Sequence, residues 1–100
     1  MTISGPGPGQ LTISGNDASR IFLVNAGIGK LVTFSGLTLS HGYTMSPLQG
    51  AGIAAFVNSN IVVQNCHINA NRSPSGAGIR TQGGGSLTIS NSRISGNTST

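Results

Sequence analysis

The sequence predicts an all-β protein, a right-handed parallel β-helix whose three sheets wind through about three coils with no significant helix. The main observation is an internal repeat: Gly50-Ala51-Gly52-Ile53 returns 26 residues later as Gly76-Ala77-Gly78-Ile79. A constant period of this size is typical of solenoids, in which each repeat forms one coil stacked on the next. The second observation is that short runs of β-branched residues alternate with turn residues along the chain.

The composition supports the all-β prediction because the residues that build surface helices are scarce. The 100 residues contain one acidic side chain, Asp17, and one lysine, Lys30. Ser, Thr and Asn occupy 32 positions, and Gly and Pro another 20. Low charge with abundant Ser and Gly is also compatible with disorder. The periodic placement of Ile and Val argues against disorder, because an unfolded linker needs no such register.

The first element is a half-coil, residues 1–20, that we expect to be irregular. Residues 2–4 and 12–14 share the sequence Thr-Ile-Ser, which favours two short strands. Between them, Pro6 to Gln10 is rich in Pro and Gly and excludes both helix and central strand.

The first complete coil is predicted at residues 21–49, with strands near 21–24, 31–34 and 37–39. Four of its apolar residues precede apolar residues of the next coil by 29 positions. The aligned pairs are Val24 with Ile53, Val32 with Ile61, Phe34 with Val63, and Leu39 with Ile68. Three extra residues relative to the period of 26 fit into the loop from His41 to Gln49, since solenoid insertions go into loops.

The next two coils are predicted at residues 50–75 and 76–100. Each has three strands, at 53–57, 61–63 and 66–68 and again at 79–81, 87–89 and 92–94. Copies that are joined by a whole coil run in the same direction, so the sheets must be parallel, and the crossover preference makes the coil right-handed. We interpret residues 1–100 as a single module and a fragment of a longer solenoid.

Strand alternation assigns the faces, and inward residues should form columns of like on like. The predicted core is Val24, Val32, Phe34, Leu39, Ile53, Ile61, Val63, Ile68, Ile79, Leu87, Ile89 and Ile94. Asn65 and Asn91 follow equivalent strands, and we expect their side-chain amides to form a ladder at the turn.

The repeat from Gly76 to Asn97, with its Leu-Thr-Ile-Ser-Asn-Ser-Arg-Ile-Ser-Gly-Asn segment, resembles right-handed parallel β-helix repeats of bacterial secreted and surface proteins. It is similar to autotransporter passengers and polymorphic outer-membrane proteins. The resemblance covers nearly the whole chain and implies an extracellular or cell-surface module with a structural or adhesion role. The same fold also carries polysaccharide lyases, hydrolases and epimerases, in which the resemblance implies catalytic acids or bases, often with calcium.

An enzyme of that kind would need carboxylates that this chain lacks. Glycoside hydrolysis uses two, and calcium takes several oxygen ligands, usually acidic. The chain offers only Asp17. We therefore predict no catalytic, cofactor-binding or metal-binding residue here. The alternative interpretation is a fragment of a polysaccharide-active enzyme, such as a pectate-lyase-like lyase, a hydrolase or an epimerase, whose catalytic residues lie outside this chain.

The candidate binding surface is a polar patch on the outer face. His67 and Arg93 are 26 residues apart, so they should stack, with Asn69 and Ser95 beside them. The patch is either a contact for an acidic glycan or ordinary solvated surface. His41 and Tyr43, in the longest loop, form no constellation by themselves.

The remaining expectations concern partners. Further β-helix coils of the parent chain should continue the solenoid, and the isolated chain should associate end to end through its uncapped strands. Nucleic acid is not expected, because the five basic residues are scattered among only four aromatic ones. Membrane insertion is not expected either, since no apolar run approaches about 20 residues. The sequence shows no signal-peptide pattern, so the surface location rests on the resemblance.

Overall fold

The computed structural model describes residues 2–25, 30–45, 50–56, 59–81 and 85–99. Within these ranges the chain forms short strands and no helix, and therefore no helix long and apolar enough to cross a membrane. The strands are β1 (Thr2–Ser4), β2 (Thr12–Ser14), β3 (Phe22–Val24), β4 (Leu31–Ser35), β5 (Thr38–Ser40), β6 (Ile53–Ala55), β7 (Asn60–Gln64), β8 (His67–Asn69), β9 (Arg72–Ser73), β10 (Ile79–Thr81), β11 (Leu87–Ser90), β12 (Arg93–Ser95) and β13 (Thr98–Ser99).

The strands form three main sheets, and every pairing in them is parallel. Sheet A has the order β1-β4-β7-β11, sheet B the order β12-β8-β5-β2, and sheet C the order β10-β6-β3. Along the chain, successive strands visit sheets C, A and B in turn, and each strand stacks on its own copy. This arrangement is a parallel β-helix, as the 26-residue repeat predicts.

A fourth, two-stranded sheet, sheet D, pairs β9 with β13, and Tyr43 of the preceding coil bridges to Arg72 in the same direction. The sequence pattern does not predict this sheet. Its strands are two residues long and polar, so neither alternation nor an apolar run marks them.

Most of the predicted register is confirmed. Val32 pairs with Ile61 and Phe34 with Val63. Leu39 pairs with Ile68. The alignment of Val24 with Ile53 is wrong, because Phe22 pairs with Ile53 and Val24 with Ala55. The cause is a difference in spacing: six residues separate β3 from β4, whereas four separate β6 from β7.

Residues 1–20, expected to be irregular, contribute two strands in register with the following coil. Ile3 of β1 pairs with Phe34, and Ile13 of β2 pairs with Leu39. The irregular parts are the turn between them, where Gln10 N–H donates to the Gly7 carbonyl at 3.0 Å, and the bend at residues 15–20.

The insertion that we placed between His41 and Gln49 lies after Thr44. Thr44 N–H donates to the Arg72 carbonyl, whereas Gly50 N–H donates to the Ser75 carbonyl, so the register changes between them. Residues 46–49 of this loop lie outside the described residues.

The interior is a column of apolar side chains, and the predicted core residues of the inner coils are buried there. They are Val24, Val32, Phe34, Leu39, Ile53, Ile61, Val63 and Ile68. Leu37 and Cys66 are also buried.

The last coil differs from the prediction of a buried core. Ile79 is half-buried, and Leu87, Ile89 and Ile94 are 39%, 43% and 41% exposed. Their columns are correct, since Ile89 pairs with Val63 and Ile94 with Ile68. They are exposed because no described strand lies on their far side.

Asn65 and Asn91 occupy a turn, but in a different role from the predicted ladder. Both are exposed and adopt left-handed backbone, with φ of 51° and 48°. Gly36, at the same position one coil earlier, has φ of 70°. Asn and Gly are the residues that tolerate this conformation, so the column ends each sheet A strand with a left-handed bend.

The asparagine ladder lies instead at Asn71 and Asn97. Asn71 Nδ2 donates to Asn97 Oδ1 at 2.9 Å, and Asn97 Nδ2 donates to the Ile68 carbonyl at 3.0 Å. Asn71 Oδ1 accepts from the Gly42 N–H at 2.7 Å. These bonds join three successive coils on one side of the core.

A second left-handed column supplies a stability prediction. After sheet B, the equivalent positions are His41, Ala70 and Gly96, with φ of 56°, 56° and 66°. Alanine costs about 1–2 kcal/mol in this conformation, and glycine returns about half of that through unfolded-state entropy. We expect Ala70→Gly to raise the free energy of unfolding by about 0.5–1 kcal/mol, measured by urea denaturation. The matched control Ala54→Gly, at a buried strand position, should lower it; a loss at Ala70 would contradict the argument.

Candidate functional site

The predicted polar patch is assembled on the outer face of sheet B. Arg93 pairs with His67, and Ser95 with Asn69, in adjacent strands. The alternate residues Ile68 and Ile94 belong to the inward column, so the four polar side chains lie on the opposite face. His67 and Asn69 are half-buried, whereas Arg93 and Ser95 are exposed.

The same two outward columns continue into the preceding coil, where their residues are less accessible. Thr38 stands in the column of His67, and its hydroxyl donates to the Pro8 carbonyl. Ser40 stands in the column of Asn69 and is buried. Thr12 and Ser14 continue these columns in β2 and are exposed, so the less accessible Thr38 and Ser40 separate them from the patch on β8 and β12.

A second polar cluster lies in the loops beyond sheet B. His41 Nδ1 is 3.3 Å from Asp17 Oδ1, with both side chains more than half exposed. The Arg72 guanidinium lies over the Tyr43 ring, 5.6 Å from its centroid. An exposed contact of this kind contributes little to stability. The polar groups of the cluster are therefore available for contact with other molecules.

A cleft of about 330 Å³ lies beside this cluster, lined by Ala18, Ser19, Arg20, Tyr43, Thr44 and Met45. The Arg20 Nε–H donates to the Gly50 carbonyl at 3.0 Å and holds the two loops together. Thr44 Oγ1 is buried and has no hydrogen-bond partner within the described chain.

His41 and Tyr43 both lie in this cluster, and their residue types alone indicate no partner for either. The predicted 29-residue register, extended four residues past Leu39, places Tyr43 over Arg72, and the structure pairs them. The contact of Asp17 with His41 had no such signal, because it depends on the bend after β2, where Asn16 and Asp17 both have positive φ.

The side chains of these surfaces are hydroxyl, amide and cationic groups, with few acids. Asp17 is the single carboxylate side chain of the sequence, and no group of three or more His, Cys, Asp or Glu residues that could hold a metal occurs among the described residues. Cys66 is buried, with its thiol donating to the Gln64 carbonyl at 3.2 Å. The hydroxyl, amide and cationic groups can donate and accept hydrogen bonds and attract an anion.

The stacked parallel sheets, with one strand from every coil, define a parallel β-helix solenoid. The chain belongs to the family described as the right handed beta helix region, which residues 7–100 match. The predicted fold class, including its right hand, is thereby confirmed, and the chain is a β-helix repeat module. No curated protein and no solved structure matches it.

Proposed function

We propose that this chain is a non-catalytic structural module of an extracellular or cell-surface protein, and that its sheet B face contacts acidic glycans in adhesion. The surface location rests on the resemblance of the repeats to those of bacterial secreted proteins. The glycan contact rests on one observation, the stacking of Arg93 on His67 beside the Asn69 and Ser95 pair.

This two-by-two array suits a sugar polymer that carries acidic groups. Neighbouring strands place the side chains about 4.8 Å apart, and alternate residues along a strand lie about 6.6 Å apart. The Arg93 guanidinium can donate two N–H groups to a carboxylate or sulfate. The Asn69 amide and the Ser95 hydroxyl can form hydrogen bonds with sugar hydroxyls. Strand β8 is held on the packed core by the buried Ile68, so little ordering of its side chains and backbone is lost on binding.

We expect Arg93→Gln to weaken binding of an acidic polysaccharide, polygalacturonate, by about 10- to 100-fold, because one charge-assisted bond contributes about 1.5–3 kcal/mol. Biolayer interferometry on the immobilised polymer measures the change. The matched control is Lys30→Gln, which removes the same charge from an exposed position away from sheet B.

Equal losses in the two variants would mean that net charge alone drives binding and would contradict a defined patch. Binding that persists in Arg93→Gln, or an absence of binding in the unmodified chain, would also contradict it. Added salt should weaken binding to the patch, since exposed charges are screened beyond about 10 Å at 0.1 M.

A further inference from the structure

The cleft of about 330 Å³ between residues 18–20 and 43–45 has the features of a small-molecule site. Its volume is at the lower end of the range of about 300–1,000 Å³ that is usual for such sites, so it suits a single ring and not a polymer. Tyr43 N–H donates to the Ser19 carbonyl at 2.9 Å. This bond, together with the Arg20 bond described above, holds the two walls in place, so little chain ordering is needed for a ligand to enter.

One residue of the lining, Thr44, carries a hydrogen-bonding group without a partner. Thr44 is 4% exposed, and its Oγ1 has no hydrogen-bond partner within the described chain. A buried hydroxyl that is left unpaired is unfavourable, and folded proteins contain few such groups. Rotation about the Cα–Cβ bond between staggered rotamers can turn this hydroxyl toward the cleft. A hydroxyl group of a ligand would then supply the missing partner.

The other walls offer an apolar ring and positive charge. The Tyr43 ring lines the cleft, whereas the Arg72 guanidinium that lies over this ring does not. An aromatic ring presents an apolar surface on which the C–H groups of a cyclic ligand can pack. Arg20 also lines the cleft, and the single acidic side chain of the sequence, Asp17, contacts His41. The charges around the cleft therefore favour an anionic ligand.

We propose that this cleft binds a single sugar acid, that is, a six-membered sugar ring that carries a carboxylate. The C–H face of the ring packs on Tyr43, and the carboxylate lies beside the positive charge of Arg20. The ring hydroxyls form hydrogen bonds with Thr44 and Ser19. A cyclic acid without hydroxyls would leave Thr44 unpaired, and a neutral sugar would lack the charge. The site is separate from the sheet B patch, and the proposal does not depend on that patch.

The position of the ligand can be tested by fluorescence, because the sequence contains one tyrosine and no tryptophan, so the emission reports on Tyr43. Titration with D-galacturonate should change this emission to a saturating value. Cyclohexanecarboxylate lacks the hydroxyls and D-galactose lacks the carboxylate, so each should bind about tenfold more weakly. No saturable change with D-galacturonate, or equal binding of the three compounds, would overturn the proposal.

Replacement of Thr44 by Val separates a ligand site from an ordinary packing position, because valine keeps the branched shape and removes the hydroxyl. The loss of an unpaired buried hydroxyl should raise the urea midpoint of the free protein, while the affinity for D-galacturonate falls about fivefold. The matched control is Thr38→Val, since the Thr38 hydroxyl donates to the Pro8 carbonyl. It should lower the midpoint and leave the affinity unchanged. A Thr44→Val variant with unchanged affinity would contradict the proposal.

Two substitutions of Tyr43 test the contribution of its ring, with the affinity for D-galacturonate measured by isothermal titration calorimetry and the fold verified by circular dichroism. Tyr43→Phe keeps the ring and should retain the affinity within about twofold, whereas Tyr43→Leu should reduce it about fivefold. Lys30→Gln removes one positive charge outside the cleft and should have little effect. Equal affinities of the Phe and Leu variants, or a loss in Lys30→Gln as large as that in Tyr43→Leu, would each overturn the proposal.

Discussion

Replacement of Val63 by Asp is expected to unfold the protein. Val63 is fully buried in the column between Phe34 and Ile89, and the surrounding core is apolar. A carboxylate there would have neither water nor a cationic partner, and protonation would still leave a buried polar group. The expected loss exceeds 4 kcal/mol, which consumes most of the stability of about 5–15 kcal/mol that a domain possesses. Far-UV circular dichroism and urea denaturation measure it.

The neighbouring residue provides the matched control, because it is also a valine. Val62 pairs with Thr33 and Thr88 on the outer face of sheet A and is half-buried. Val62→Asp should therefore cost about 1 kcal/mol or less, as expected for substitutions on a surface. Similar damage at the two positions would mean that the inward and outward faces have been assigned wrongly.

The repeat predicted the fold because each coil lies directly on the next, so that sequence spacing becomes spatial stacking. Where the spacing of the strands within a coil repeats, as around Phe34, Val63 and Ile89, the column follows from counting residues. Where the number of residues between strands differs from coil to coil, counting fails. The predicted partner of Val24 is wrong by two positions for that reason. The patch of His67 and Arg93 follows from the 26-residue spacing in the same way, but its ligand does not.

Features that depend on burial or on turn geometry were harder to predict. The sequence marked both Asn65 with Asn91 and Asn71 with Asn97 as repeated pairs, and only the structure shows which pair points inward. The distinction comes from backbone conformation, since Asn65 occupies a left-handed bend that exposes its side chain, whereas Asn71 is fully buried. The exposure of Ile89 could not follow from its column alone, because it depends on what lies beyond the last coil.

Asn71→Leu should be the second most damaging single change. Leucine has the same number and branching of side-chain heavy atoms, but it removes the acceptor of the Gly42 N–H and the donor to Asn97 Oδ1 and the Leu39 carbonyl. Each buried group left without a partner costs about 1–3 kcal/mol. We expect the free energy of unfolding to fall by about 3–5 kcal/mol, measured by urea denaturation at constant m-value.

Two controls separate the ladder from a general intolerance of leucine. Asn69→Leu, two residues earlier on the outer face, should change the free energy of unfolding by about 0.5 kcal/mol or less. Asn97→Leu should cost less than Asn71→Leu, because Asn97 is only half-buried. The double variant should cost less than the sum of the single ones, since both remove the shared bond. Strict additivity would show that Asn71 and Asn97 stabilise the coils independently, and the ladder would then be a coincidence of spacing.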